Sequence, residues 1–319
     1  MVKLVNSIRE DLTGINAGGI VMKKDLLVIV VTYNAMKWAE KCFESLRHSN
    51  AKADVYVIDN GSTDDTQDYI KKYYPEVIFY QNKENIGFGK ANNIGLQYAL
   101  DHNYDYVYLL NQDAWIRPDT IDELIRFHNE NPSYGILSPF QLQANMSHLD
   151  RNFASNVCSY VSNPYILEDA YFNRMSGVYE VSGVMAAHWL ISRECIERVG
   201  GFSPTFPHYG EDDNYANRAL FHGFKIGIVP NAIAIHDRES RKETKERKIY
   251  MGYIGCLINL STIYNKVPYL PIKIIKNMFC QMFVYHSLKP IGYLFRVMWE
   301  IPRIIRNRER SKAKQAFLI

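Results

Sequence analysis

Residues 106–115 read YVYLLNQDAW, and this stretch decides which fold the chain is expected to adopt. Its first five residues are aromatic, β-branched or aliphatic, which is typical of a β-strand that is buried in a sheet. The apolar run ends abruptly at Asn111, Gln112 and Asp113. A strand followed by an ordinary turn would explain this ending, because Asn and Asp are common turn residues. The alternative is a ligand site at the carboxyl end of a parallel strand.

Three earlier strand-like runs end in the same way. They cover residues 26–31, 55–58 and 77–80. Thr32 and Asp59 directly follow the first two runs, and a polar, Gly-containing segment at 82–89 follows the third. Helix-like patterns separate the runs, which predicts βαβ units and a parallel sheet with right-handed crossovers. The polar strand ends would then meet above one edge of the sheet, where open α/β sheets bind ligands.

The composition is that of a globular protein, and its charge is unevenly distributed. The chain has 319 residues, of which 47% are hydrophobic and 22% are charged. This length allows one large domain or two smaller ones. Residues 251–319 carry eleven Lys and Arg against two Glu, so this segment is +9 and the rest of the +3 chain is −6. A mildly acidic body without a known binding module argues against nucleic acid as a partner.

The cysteines and the apolar runs indicate the compartment. The five cysteines are scattered and contain no Cys-x-x-Cys pair, so we expect a reducing environment without disulfides or a zinc site. Residues 1–21 lack the apolar centre of a signal peptide, and no run reaches the ~18 apolar residues of a membrane span. These features predict a cytoplasmic protein.

Two further motifs lie in the second half of the chain. Glu211, Asp212 and Asp213 head a predicted helix, and His236 follows two predicted short strands at 226–229 and 232–235. Crowded carboxylates raise one another's pKa and can supply a general base, although acids also favour helix starts for structural reasons. His236 is either a metal ligand or an ordinary hydrogen-bonded strand-end histidine.

Glycine-rich nucleotide motifs of other families are excluded. The segment 86–89 reads IGFG, lacks a third glycine at the required spacing and follows the third strand instead of the first. This excludes an NAD fingerprint, and no Gly-Lys-Ser/Thr sequence indicates a Walker loop.

Together these motifs resemble the family-2 inverting glycosyltransferases of the GT-A fold, especially bacterial rhamnosyltransferases and related enzymes of surface polysaccharide assembly. The matching segments are VVTYN at 30–34, VIDNGSTD at 57–64, NIGFGKANN at 85–93, LLNQD at 109–113, GGF at 200–202 and GEDD at 210–213. The resemblance implies an α/β fold, namely a GT-A-type Rossmann-like sandwich. It has a central, mostly parallel sheet flanked by helices, plus a helical C-terminal tail.

The resemblance also implies a domain organisation. A glycosyltransferase domain would cover 26–240, with a nucleotide-binding half at 26–130 and an acceptor-binding half at 131–240. Residues 1–25 would form an N-terminal extension, either a helical segment or one that precedes a true start at Met22. Residues 241–319 would form a basic amphipathic helical region.

Roles for individual residues follow from the same resemblance. The nucleotide-sugar pocket would contain Thr32, Tyr33, Asn34, Asp59, Asn60, Asn85, Gly87, Asn92, Asn111, Gln112 and Asp113. Asp113 and His236 would bind Mg²⁺ or Mn²⁺, Asp212 would be the general base and Glu211 would shape the acceptor site. The Asp-x-Asp of the family reads Asn-Gln-Asp at 111–113 in this chain, so we expect weaker metal binding.

The implied reaction transfers a sugar with inversion from a nucleotide diphosphate sugar to a glycan or lipid-linked glycan. The favoured donors are dTDP-rhamnose and UDP-hexoses. A non-catalytic, nucleotide-sugar-binding scaffold subunit remains an alternative. A sugar nucleotidyltransferase is disfavoured, because its Gly-rich loop is missing after Val31.

The C-terminal region has two interpretations. Aromatic residues and methionines alternate with Lys and Arg between 278 and 305. A basic amphipathic helix with Trp and Phe suits an anionic membrane surface, here the cytoplasmic face of the inner membrane. The alternative is a set of helices that pack on the catalytic domain. A homo-oligomer is also possible.

Overall fold

A nine-stranded sheet forms the centre of the part of the chain that the structure describes. The structure is a computed structural model and describes residues 24–158, 163–239, 243–265 and 270–318. The predicted extension at 1–25 lies outside these residues, apart from the first two residues of the first strand. The predicted domain boundaries after residues 130 and 240 stay predictions.

The elements follow one another in the predicted alternation. The strands are β1 (Lys24–Thr32), β2 (Asp54–Asp59), β3 (Ile78–Gln81), β4 (Tyr104–Asn111), β5 (Ala114–Ile116), β6 (Tyr134–Leu142), β7 (Tyr179–Glu180), β8 (His188–Ser192) and β9 (Lys225–His236). The helices are α1 (Ala39–Arg47), α2 (Thr66–Tyr73), α3 (Phe88–Asp101), α4 (Thr120–Glu130), α5 (Arg151–Asn156), α6 (Pro164–Tyr171), α7 (Arg193–Val199), α8 (Glu211–Phe221), α9 (Lys245–Ser261), α10 (Leu270–Val284) and α11 (Lys289–Arg310).

The strand order is β3-β2-β1-β4-β8-β6-β9-β5, and β7 pairs with β9. The four strands predicted from the first 113 residues form one parallel block, and β6 is parallel to β9. Antiparallel pairs with β8, β5 and β7 complete the second half. The predicted fold, a mostly parallel sheet flanked by helices, is confirmed.

The register of the parallel block aligns the polar strand ends. Thr32 pairs with Asp59, and Asn111 lies opposite Val31. Because the strands run in the same direction, these ends share one edge of the sheet. The stretch at 106–115 therefore delivers its polar residues beside the ends of β1 and β2.

Both faces of the sheet are covered, which explains the unbroken apolar runs. Leu27 and Ile29 belong to one core cluster, while Leu26, Val28 and Val30 belong to the cluster on the opposite face. A strand whose alternate residues enter two cores has no position for a solvent-facing polar side chain.

The two short strands predicted at 226–229 and 232–235 are one continuous strand, β9. Its register against β6 shifts between the pairs Pro139–Val229 and Phe140–Ile233. Pro230 and Asn231 fall in this irregularity, where a proline costs no ladder hydrogen bond. The apparent break in the sequence is thus a bulge inside a strand.

The predicted helical C-terminal region is confirmed, and it packs against the loop that precedes α8. Helices α9, α10 and α11 share a core with Phe206, which includes Tyr253, Met278 and Val297. In the described ranges, no helix is both long and apolar enough to cross a lipid bilayer. The five cysteines are free, and four of them are buried.

Residues 316–318 return to the loop at 200–202. Ala316 O accepts a hydrogen bond of 2.8 Å from the Gly201 N–H, and the Asn93 amide donates to Phe317 O at 3.2 Å. Gly200 has φ +87°, and a Cβ at this position would collide with the backbone of Ala316. The GGF motif therefore serves as a docking surface for a distant part of the chain.

Candidate functional site

A cleft of about 730 Å³ opens above the carboxyl ends of β1, β2 and β4. Its volume is in the range of small-molecule sites. Seven residues that the sequence analysis placed in a nucleotide-sugar pocket line it: Tyr33, Asn60, Asn85, Gly87, Asn111, Gln112 and Asp113. The fold thus brings together segments that lie up to 80 residues apart in the chain.

Asp59 lies beneath the cleft and holds the loop that follows β2. Its fully buried carboxylate accepts hydrogen bonds from Thr32 Oγ1 (2.9 Å), Ser62 Oγ (2.5 Å) and the backbone N–H groups of Gly61 (3.1 Å) and Ser62 (2.9 Å). Gly61 has φ +77°, which a tight turn of this kind requires. Direct contact of Thr32 or Asp59 with a base or ribose stays a prediction.

The start of α3 forms a second part of the cleft. Gly87 precedes the helix with φ +87°, and its N–H donates to Asn85 Oδ1 at 2.9 Å. Asn60 Nδ2 donates to Gly87 O at 3.3 Å. The side chain of Asn60 thus ties the loop after β2 to the first turn of α3.

The side chains of two predicted pocket residues form hydrogen bonds with nearby backbone groups. Asn34 Oδ1 accepts a hydrogen bond of 2.9 Å from the Thr63 N–H. Asn92 is buried in α3, and its amide donates to Phe88 O at 3.0 Å. Their contacts with a ligand stay predictions.

Gln112 connects the end of β4 to the loop after β1. Its Oε1 accepts from the Tyr33 N–H at 2.6 Å, and its Nε2 donates to Tyr33 O at 3.1 Å. Beside it, Asn111 Oδ1 is buried and has no hydrogen-bond partner among the residues that the structure describes. Such an acceptor at the cleft is available to a ligand or to water.

Asp113 and His236 meet because β5 pairs with β9, which places Ala114 opposite His236. Asp113 Oδ1 lies 3.4 Å from His236 Nε2, and the two residues are 2% and 1% exposed. Neither ring nitrogen of His236 has a hydrogen-bond partner in the part of the chain that the structure describes. The alternative interpretation of His236, a strand-end histidine with an ordinary hydrogen bond, does not fit this geometry.

A second histidine, His188, lies beside His236, with 6.3 Å between the centres of the two rings. His188 Nε2 lies 3.1 Å from Ile235 O, and its Nδ1 lies 3.0 Å from the Tyr108 hydroxyl. Because a carbonyl oxygen can only accept, Nε2 carries the proton and the hydroxyl donates to Nδ1. Burial, assisted by nearby His236, lowers the pKa of His188 to about 3, so the ring is neutral.

The Asp113–His236 pair fits a hard divalent cation. A carboxylate oxygen and an imidazole nitrogen that makes no hydrogen bond to any described residue are suitable ligands for Mg²⁺ or Mn²⁺. Across residues 24–158, 163–239, 243–265 and 270–318, no group of three or more His, Cys, Asp or Glu side chains could hold a metal. A cation here would therefore take its remaining ligands from phosphate and water.

The acidic cluster is only partly solvated, unlike a simple acidic helix start. Glu211 is 6% exposed, and no described residue forms a hydrogen bond with its Oε2. Burial, together with the charge of Asp212, raises the pKa of Glu211 to about 8. Burial also raises the pKa of Asp212, although the backbone N–H groups of Asp213 and Ala186 oppose this increase. Both carboxyl groups can therefore exchange protons nearer to neutral pH than ordinary acids.

This cluster lies against the start of α3. A Cβ built on Gly89 would be 3.7 Å from the Glu211 Cβ, so the first turns of α3 and α8 abut. Arg238, which forms an ion pair with Asp150, also lowers the pKa of Asp212 through its charge. Sequence reasoning did not identify this ion pair, because its members are 88 residues apart.

Sequence reasoning also did not identify one wall of the cleft. It consists of the loop 204–208 and of Arg296, Glu300 and Arg303 on α11. The spacing i, i+4, i+7 places the three α11 residues on one helix face. That polar stripe within an apolar helix was visible in the sequence, but nothing in the sequence indicated which surface it would cover.

Comparison with known proteins identifies the family of the chain. The family model described as "Glycosyl transferase family 2" matches residues 27–199, more than half of the chain. The chain is 23% identical to the low-salt glycan biosynthesis hexosyltransferase Agl10 of Haloferax volcanii, over 77% of this chain and 78% of that protein. It is 26% identical to an N-acetylglucosaminyl-diphospho-decaprenol L-rhamnosyltransferase of Mycobacterium tuberculosis, over 67% of this chain and 76% of that protein.

Among solved structures, S. aureus TarS 1-349 in complex with UDP-GlcNAc has a similar fold. The TM-score is 0.56 at 16% identity, and the match covers 91% of this chain and 84% of that chain. At this identity the likeness concerns the fold, and it confirms the predicted GT-A-type architecture.

Proposed function

The chain belongs to glycosyl transferase family 2, and from that premise we propose that it transfers a sugar, with inversion, from a nucleotide diphosphate sugar to a hydroxyl group of a glycan or lipid-linked glycan. The observation that carries this proposal is the cleft itself. Its floor joins Asp113, 3.4 Å from the ring of His236, to the polar ends of three parallel strands.

The donor would lie along the strand ends. The nucleotide would lie against Tyr33, Asn60, Asn85 and Gly87, which line the cleft. Asn111, next but one to Asp113 in the chain, offers an oxygen that no described residue bonds. The named relatives are a hexosyltransferase and an L-rhamnosyltransferase, and TarS was solved with UDP-GlcNAc. We therefore favour dTDP-rhamnose or a UDP-hexose as donor, in the synthesis of a surface polysaccharide.

Asp113 and His236 would hold Mg²⁺ or Mn²⁺. A divalent cation there would neutralise charge on the leaving diphosphate. The loss of the first acid of Asp-x-Asp leaves Asn111 at that place, so the protein contributes one carboxylate instead of two. We expect the cation to bind more tightly together with the donor than alone.

Asp212 would act as the general base. Its carboxylate takes the proton of the acceptor hydroxyl while that oxygen forms a bond to the anomeric carbon. The bond from the anomeric carbon to the diphosphate oxygen breaks on the opposite face, which inverts the configuration. Glu211, held protonated near neutral pH by burial and by Asp212, would border the acceptor and add no second negative charge.

The Asp212→Asn variant tests this assignment. Slow hydrolysis of the donor, with water as acceptor, is measured in Mn²⁺ by release of nucleoside diphosphate. We expect turnover to fall about 10²–10⁴-fold while donor affinity in calorimetry is retained, because general base catalysis contributes that much. Asp68→Asn, a change of the same kind at an exposed position on α2 away from the cleft, is the control. Undiminished turnover in Asp212→Asn would rule out the base.

The same assay separates the enzyme from a scaffold subunit. A scaffold would bind the nucleotide sugar in calorimetry but release no nucleoside diphosphate, with or without Mn²⁺.

A membrane surface is the partner that we propose for the C-terminal helices. Exposed large apolar side chains cluster on α10, α11 and the turn between them: Ile272, Ile275, Phe279, Phe283, Leu288, Phe295, Met298 and Trp299. Trp299 is 88% exposed, and monomeric proteins rarely leave such patches uncovered. The surplus of Lys and Arg in this region favours anionic lipid and a peripheral position on the cytoplasmic face of the inner membrane. A homo-oligomer stays a prediction.

Removing the C-terminal region is a poor test, because residues 316–318 bind the GGF loop. Surface substitutions avoid this problem. Phe295→Ser with Trp299→Ser should reduce co-sedimentation with phosphatidylglycerol vesicles, whereas Tyr171→Ser, at an exposed aromatic on α6, should not. Equal sedimentation of all three proteins would remove the membrane from the proposal.

A further inference from the structure

Helix α11 presents a polar row to the cleft. Arg296, Glu300, Arg303 and Asn307 follow one another at spacings of four, three and four residues, so they share one face. The first three line the same cleft as Asp113, and Asn307 Nδ2 donates to Thr205 Oγ1 of the cleft at 3.0 Å. The row lies outside the segment that the family model matches.

Glu300 holds the two guanidinium groups side by side. Its carboxylate accepts from Arg296 Nε at 3.1 Å and from Arg303 Nη2 at 3.0 Å, and the Tyr253 hydroxyl donates to it at 3.3 Å. Glu300 itself is 15% exposed, whereas both arginine side chains are 50% exposed. A guanidinium has five N–H donors, so each arginine keeps donors for a ligand after it has bonded Glu300.

The charges of the cleft favour an anion. Lys90, Arg296 and Arg303 line it against Asp113 and Glu300, a balance of +1 when the histidine of the lining is neutral. Two of the three cationic side chains balance the two carboxylates, which leaves one positive charge for an anionic ligand. The planar fork of arginine matches the oxygens of a phosphate group, which lysine binds only as a point charge.

From this geometry we infer that Arg296 and Arg303 bind a diphosphate in the cleft and share its neutralisation with the divalent cation that Asp113 and His236 would hold. The inference rests on the proposed function, since the diphosphate belongs to the donor or to a lipid-linked acceptor. The donor is favoured because the two arginines face the same cleft as the strand ends. The second source is the lipid-linked acceptor. It is considered because the adjoining face of α11 exposes an apolar row that could contact a lipid, namely Phe295, Met298 and Trp299.

Calorimetric titration of the full chain tests the inference without any turnover. The ligands are UDP and dTDP, each compared with its monophosphate, in EDTA and in Mn²⁺. We expect Arg296→Gln and Arg303→Gln each to weaken diphosphate binding about fivefold to tenfold, the scale of a partly exposed charged hydrogen bond. Binding of UMP and dTMP should change less than about twofold, because the lost contact is to the second phosphate.

Two controls separate local contact from general effects. Arg306→Gln removes the same charge from an exposed position of the same helix and should leave diphosphate affinity unchanged. Rising salt should weaken diphosphate binding more in the unaltered chain than in the double arginine variant. Salt screens the charges of Arg296 and Arg303 in the unaltered chain, and the variant lacks both charges. Thermal unfolding of each variant verifies that α11 remains folded.

Farnesyl diphosphate and farnesyl monophosphate identify the source of the diphosphate. A loss confined to farnesyl diphosphate supports the arginine site and assigns it to the acceptor. If the unaltered chain prefers diphosphates and no arginine variant reduces that preference, the inference is overturned while the proposed function stands. A chain that binds neither nucleoside diphosphates nor farnesyl diphosphate overturns both.

Discussion

Asp59 after β2 and Glu211 at the start of α8 are both buried carboxyl groups, but their hydrogen bonding is opposite. Asp59 accepts four hydrogen bonds from Thr32, Gly61 and Ser62. Glu211 has an oxygen that no described residue bonds, and burial, together with the charge of Asp212, raises its pKa to about 8. Both groups are buried, so burial does not separate a carboxyl group that stabilises the fold from one that can exchange a proton. What separates the two groups is the number of hydrogen-bond donors that surround each of them.

The largest effect that this comparison predicts belongs to Asp59→Asn. The amide would direct an NH₂ group at donors that now bond to oxygen, and it would lose the charge that strengthens those bonds. We expect the free energy of unfolding to fall by about 2–4 kcal/mol. Urea unfolding at pH 7 measures the change. Asp68→Asn, an exposed change of the same kind on α2, should stay within about 0.5 kcal/mol.

If Asp59→Asn were as stable as its control, the four hydrogen bonds would contribute nothing, and the contrast with Glu211 would fail.

The next largest effect is a pH dependence at Glu211. Its pKa in the folded chain, about 8, lies above the ordinary value of 4.5, so the folded state binds the proton more tightly. This contribution to stability is present below about pH 4.5 and is lost as the pH rises towards 8. Glu211→Gln lacks the titration, so its stability relative to the unaltered chain should rise over this window by on the order of 2 kcal/mol.

Urea unfolding at half-unit steps from pH 5 to pH 8 measures this difference. Glu130→Gln, at an exposed position on α4, is the control and should follow the unaltered chain at every pH. Parallel curves for Glu211→Gln would mean that Glu211 titrates like an ordinary acid, and its contrast with Asp59 in hydrogen bonding would then have no functional consequence.

The smallest effect sharpens the role of the Asp59 loop. Ser62 Oγ donates to Asp59 Oδ2 and accepts the Asn34 N–H at 2.9 Å. Ser62→Ala removes both hydrogen bonds but leaves three donors on Asp59, so we expect a loss of about 1–2 kcal/mol in urea unfolding. Ser147→Ala, on an exposed turn, is the control. A loss as large as that of Asp59→Asn would show that Ser62, instead of the carboxylate, organises the loop.

Local patterns in the sequence were enough to predict the parallel block and its polar edge. Apolar runs ending at Thr32, Asp59 and Asn111 fixed both the strands and the edge at which a ligand would bind. These predictions succeed because strand direction alone determines where the ends of parallel strands lie. The sequence also singled out Asp113 and His236, which the pairing of β5 with β9 places together.

Contacts that depend on tertiary packing were beyond the same reasoning. No local pattern indicates that Arg296 and Arg303 would reach the cleft, since helix periodicity gives a face but not its neighbour. The burial of Asp59 beneath the cleft was missed for a related reason. An acid at a strand end looks the same in sequence whether its oxygens meet a ligand or four internal donors.

The return of residues 316–318 to the GGF loop has a consequence for synthesis of the protein on the ribosome. Asn93 binds Phe317, which is 224 residues further along the chain. At ~5–20 residues per second, a nascent chain waits roughly 10–45 seconds between translation of these two positions. Throughout that interval the loop at 200–202, once made, lacks its partner. We therefore expect the region around the loop at 200–202 to complete its folding late in translation. Until Phe317 has emerged, we expect the nascent chain to be a substrate for chaperones.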